Sequence, residues 1–99
     1  MAINWKDNLT DQLCDAFLLM KNKDEMYALL EDIATIGEIK ALSQRLEVAM
    51  LLSKGLTYPQ IAQKTGASNA TISRVKKCFE HGTSGYSTVI ERLEIKEND

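Results

Sequence analysis

The chain is poor in the residues that staple, bridge or catalyse. Its 99 residues hold one proline, one histidine and two cysteines, and aromatics make up 6%. A disulfide scaffold requires dense, paired cysteines, so Cys14 and Cys78, far apart in sequence, read as free thiols of a reducing compartment. With a lone histidine, Cys78-x-x-His81 is the nearest approach to a metal pair. Cys14 could add one more ligand where a structural zinc takes about four, so no metal is expected. Glu80 is the carboxylate beside His81, and no nucleophile, base and orienting group fall together, which argues against an enzyme. Long apolar runs are also missing. Lys6, Asp7, Asp11, Asp15 and Lys21 interrupt the opening segment, so neither a signal-peptide core nor a membrane span is read there, and the expected location is cytoplasmic. Period-two alternation, the mark of strands, is nearly absent, as are repeats and low-complexity tracts.

What is present is helical periodicity with punctuation. Leu9, Leu13, Ala16, Phe17 and Met20 share one face of a first helix, with Asn8 or Thr10 placed to cap it. Asn22 to Glu25 opens a second helix carrying Met26, Leu29, Leu30 and Ile33. A third runs from Glu38 to Ser53 through Ile39, Leu42, Leu46, Ala49, Met50 and Leu52, and Gly55 stands where a left-handed residue ends it. Two short helices, Tyr58 to Lys64 and Asn69 to Phe79, flank Thr65-Gly66-Ala67-Ser68, and Thr88 to Glu91 reads as the capping box of a sixth. The expected class is therefore all-α, one domain over residues 1–99. Leu18, Leu19, Leu51 and Ile36 add a second apolar face to the first three helices, more than a small monomer buries, which predicts a homodimer.

Charge is distributed unevenly. The total is −2. Residues 1–57 carry −3 and residues 80–99 another −3, whereas residues 58–79 contain Lys64, Arg74, Lys76 and Lys77 with no acid, giving +4. Unopposed basic charge confined to one short segment is the footprint of an anionic partner, double-stranded DNA above all.

That segment has the mechanics of a helix-turn-helix over about residues 58–77. Pro59 falls in a first helical turn, where its missing N–H is not needed. Ala62 is small where two helices cross closely, and Gly66 supplies the positive φ of a short turn. Ile61, Ala67, Ile72 and Val75 point into the angle between the helices. Ser68 or Asn69 caps the second helix, leaving Ala70, Thr71, Ser73, Arg74, Lys76 and Lys77 on or near its outward side. Short polar side chains at the N-terminus suit base edges in the major groove, and cations further along suit phosphates.

Ala41-Leu42-Ser43-Gln44-Arg45-Leu46-Glu47-Val48-Ala49-Met50-Leu51-Leu52 and Gly66-Ala67-Ser68-Asn69-Ala70-Thr71-Ile72-Ser73-Arg74 resemble the tryptophan-repressor superfamily, in particular its YerC/YecD-type branch, over about residues 9–93. The resemblance implies a six-helix fold and an intertwined homodimer, with dimerisation helices at about 9–53 and 86–95. It also implies two reading helices in successive major grooves of a near-palindromic operator. It carries over a ligand pocket as well, in which Arg45, Arg74 and Thr35 match tryptophan-contacting positions. Two positions depart from the family: Val75 replaces a glycine that leaves room beside the indole, and Cys78 replaces a serine that bonds the ligand. An added isopropyl group in a filled pocket is a clash, so tryptophan is not an expected cofactor. Arg45 and Arg74 would instead pair with acids or contact phosphate. The expected function is a DNA-binding transcription regulator, a repressor by the family's pattern. The rival reading is a protein-interaction module that uses the same motif while its acidic flanks repel DNA.

Overall fold

The computed structural model describes residues 4–97. Within them the chain forms α1 (Asn8–Leu19), α2 (Lys23–Ile33), α3 (Ile36–Ser53), α4 (Tyr58–Thr65), α5 (Asn69–His81) and α6 (Gly85–Glu97), with no strand among the described residues.

The helices α1 to α5 begin where a side chain takes over an orphan backbone N–H. α1 is capped by Asp7, ahead of the expected Asn8 or Thr10. The Asp7 carboxylate accepts from the Thr10 N–H at 2.8 Å, and the Thr10 hydroxyl oxygen accepts from the Asp7 N–H at 2.8 Å. A carboxylate at this end also meets the positive pole of the helix, an advantage that the amide of Asn8 lacks. Asn22 caps α2 through the Glu25 N–H at 2.9 Å, while the Glu25 carboxylate reaches past the cap to the Lys21 N–H.

α3 starts at Ile36, earlier than the expected Glu38, because Thr35 and Glu38 form a reciprocal box. The Glu38 N–H donates to the Thr35 hydroxyl at 3.1 Å and the Thr35 N–H to the Glu38 carboxylate at 2.9 Å. At the other end Gly55, with φ +85°, turns the chain so that the Leu56 N–H reaches back to the Leu51 carbonyl. α6 corrects the sequence reading in the same direction. It starts at Gly85, and Thr88 lies inside its first turn, with both its N–H and its hydroxyl directed to the Ser84 carbonyl.

Residues 1–39 and 40–99 group as two compact units. In the first, no residue of α1 or α2 is buried, and Leu18 keeps 83% of its surface. The second holds a core of Val48, Ala49 and Leu51 from α3, Ile61 from α4, Ala67 from the turn, Ile72 and Val75 from α5, and Ile90 from α6. Leu51 is thus a core residue, not part of a surplus apolar face with Leu18, Leu19 and Ile36, which are all exposed.

Two outcomes follow from this packing. Ile72 is fully buried, so Ile72→Ala should lower unfolding free energy by about 2–5 kcal/mol in urea titrations, through lost burial and the cavity left behind. The Asp7 and Glu38 carboxyls sit below their ordinary range because the Thr10 and Thr35 backbone N–H groups, respectively, donate to the charged forms. Their caps are complete above the ordinary carboxylate range and are lost as pH falls through the depressed folded values. Circular dichroism during acidification should show wild type losing more helix than an Asp7→Asn, Glu38→Gln variant, whose neutral caps do not titrate.

Candidate nucleic-acid interface

Local chemistry fixes the turn between α4 and α5. Thr57 caps α4, accepting from the Gln60 N–H, and the Gln60 side chain returns to the Thr57 N–H at 2.8 Å. This reciprocal pair was readable from the Thr57-x-x-Gln60 spacing. Pro59 lies in the first turn of α4. Gly66 ends the helix with φ +73°, its N–H bonded to the Ala62 carbonyl at 2.8 Å. Any other residue except asparagine or aspartate would hold that φ under strain. The Thr65 hydroxyl donates to the Ile61 carbonyl and accepts from the Ala67 N–H, locking the turn on both sides. Gln44 of α3 donates its side-chain amide to the Thr65 carbonyl at 3.1 Å and so anchors the turn to the scaffold. Nothing in sequence spacing distinguishes Gln44 from any other polar residue of α3.

Ser68 caps α5, accepting from the Thr71 N–H at 3.1 Å, and its hydroxyl also reaches the Thr71 hydroxyl. Asn69 is the exposed first residue of the helix. With about 100° of rotation per residue, Ala70, Ser73, Arg74 and Lys77 form one exposed face opposite the buried Ile72 and Val75. Lys76 lies on the flank toward α4, its ammonium 5.8 Å from the centroid of the Tyr58 ring. Thr71 and Cys78 lie on the other flank. There, with Arg45, Arg74, Val75 and Tyr86, they line a cavity of about 180 Å³.

The structure brings Arg45 and Arg74 to the same cavity. Thr35 belongs to the other unit and spends its hydroxyl on Glu38. Neither arginine has an acidic partner among the described residues. A larger recess of about 470 Å³ lies beside this cavity, between Cys78, Gly82, Thr83, Gly85 and Tyr86. Cys78 and Cys14 are free thiols, and no cluster with metal-ligand composition occurs among the described residues.

Two short capped helices joined at a left-handed glycine, the second presenting exposed short and basic side chains, define a helix-turn-helix protein. The chain belongs to the Trp repressor family, whose model, described as Trp repressor protein, matches residues 8–94. This is a family of DNA-binding transcription regulators, not of enzymes. Over 89 residues the chain is 45% identical to the uncharacterized protein YerC of Bacillus subtilis, covering 90% of this chain and 86% of YerC. It superposes on a TrpR-like protein from Eubacterium eligens with a TM-score of 0.88 and 50% identity, covering 90% of this chain and 92% of that one. A Staphylococcus aureus crystal structure, provisionally named a Trp repressor, gives a TM-score of 0.87 and 42% identity over 91% of this chain and 90% of that one. No helix among the described residues is long and apolar enough to cross a membrane.

Proposed function

We propose that this protein is a sequence-specific transcriptional repressor that docks α5 in the major groove of a near-palindromic operator, each half-site read by one copy of a homodimer. The observation that carries this reading is the exposed Ala70, Ser73, Arg74 and Lys77 face of α5 in an acid-free stretch. Asn69, Ala70 and Ser73 are short enough to approach base edges, whereas Arg74 and Lys77 reach phosphates. Ser68 and Thr71 act differently from the rest of the predicted set. The Ser68 hydroxyl accepts from the Thr71 N–H and donates to the Thr71 hydroxyl, so both side chains are engaged in holding the start of α5. The dimer is supported by α1 and α2, which bury no residue while Leu9, Leu18, Leu19 and Ile36 stay exposed, and a second copy supplies the apolar partner such faces require.

We infer that tryptophan is not the ligand: Val75 is 2% exposed and walls the cavity beside Arg45 and Arg74, at the position where the resemblance implies a glycine beside the indole. Making room there would require moving a core side chain. Arg45 and Arg74, unpaired with acids, serve instead as phosphate contacts at the edge of the groove.

Two measurements test the reading. Anisotropy against pooled genomic fragments at two salt concentrations should give steeply salt-dependent binding, lost in an Arg74→Ala, Lys77→Ala variant, because phosphate contacts release counterions. Absence of binding at either salt would favour the protein-docking alternative. Calorimetry with free tryptophan should show no heat of binding, and micromolar affinity would overturn the assignment of the arginines.

A further inference from the structure

Lys76 differs from the other cations of α5. Arg74 and Lys77 lie on its outward face, whereas Lys76, one turn beyond the buried Ile72, lies toward α4. Its ammonium is 5.8 Å from the ring centroid of Tyr58, the first residue of α4, and is thereby carried from the reading helix to the start of the supporting one. Glu80, one turn further along α5, does not hold it, and no ion pair neutralises Lys76 among the described residues. A lysine that precedes a glutamate by four positions is in the weaker order for pairing along a helix.

Tyr58 is a firm support. It is half-buried, its ring packs against the core of the second unit, and its phenolic hydroxyl has no hydrogen-bond partner among the described residues. The ring face attracts the ammonium while leaving its N–H groups free to donate. The ammonium is thus held over the ring, in a segment with no carboxylate, on the side of α5 opposite the Arg45 and Arg74 cavity.

We propose that Tyr58 and Lys76 form a phosphate clamp for one DNA strand beside the groove that α5 enters, with Lys76 making the contact and Tyr58 acting as its positioning residue. The inference rests on the DNA-binding reading above. In a helix-turn-helix the first helix crosses the backbone while the second reads the groove, which places the start of α4 at a phosphate rather than at a base. Phosphate grips then flank α5 on both sides, the clamp on one and the Arg45 and Arg74 edge on the other. The clamp fixes the register of the helix without reading sequence.

The test is a salt titration of binding to a fragment selected by the wild-type protein and to a version with changed base pairs. Lys76→Met should reduce the slope of log affinity against log salt by about 1 and weaken both DNAs equally, while Lys76→Arg keeps the slope. Tyr58→Phe keeps the platform and so keeps the slope. Tyr58→Leu should weaken binding when Lys76 is present and have no further effect on the slope when Lys76 is already methionine. The proposal falls if Lys76→Met leaves a steep wild-type slope unchanged, or if Tyr58→Leu acts equally with and without Lys76. If Tyr58→Leu fails to fold by circular dichroism, the Lys76 pair of variants decides alone. Wild-type protein that binds no DNA would remove the DNA-binding reading and the clamp together, whereas an intact wild-type slope with an indifferent Lys76 removes only the clamp.

Discussion

The geometry of the second unit depends on one apolar contact, in which Ile61 of α4 and Ala67 of the turn close on Ile72 and Val75 of α5 over Val48 and Ala49 of α3. Ile61, Ile72, Val48 and Val75 are the largest side chains that are fully buried. Two helices as short as α4 and α5 have little stability alone, since nucleation is costly and few backbone hydrogen bonds compensate for it. Shared burial makes them helices and fixes how they meet. The outward face of α5 is then defined by exclusion: once Ile72 and Val75 point inward, the helical period turns Ala70, Ser73, Arg74 and Lys77 outward.

Val75 couples two properties that otherwise look separate. The same isopropyl group packs the helix pair and walls the cavity beside Arg45 and Arg74. A smaller residue there would open the cavity and, at once, loosen the contact on which α5 depends, since buried methyl groups removed from a close-packed core are not replaced by relaxation. On the proposed reading, the absence of an indole site and the firm seating of α5 are therefore two consequences of one side chain.

The helix pair was legible in the sequence because each of its signals is local and demanding. Pro59 tolerates few backbone conformations, Gly66 stands where few other residues tolerate the positive φ, and the apolar quartet has no alternative face. Helix starts were less legible. Asp7 outcompeted Asn8 and Thr10, and Thr35 with Glu38 drew α3 back to Ile36, because several capping residues stood in a row and only the folded geometry selects among them. Thr88 with Glu91 satisfied a capping pattern but lies within a helix already begun at Gly85. Leu51 was misassigned because helical periodicity gives faces and does not say which neighbour covers them. The Tyr58 and Lys76 contact and the Gln44 tether join residues of different helices, and no spacing rule along one helix reaches them.

An overall charge of −2 is compatible with a nucleic-acid partner when the positive charge is concentrated and pre-positioned. Arg45 and Arg74 share a cavity with no acid between them, and Lys76 rests on a ring rather than on Glu80. Mutual repulsion among such groups opposes folding of the free protein. A fold that leaves these cations unpaired keeps their donors directed at an incoming anion, so little side-chain reorganisation is needed on contact. Within a screening length of about 8 Å at physiological salt, local arrangement outweighs the total.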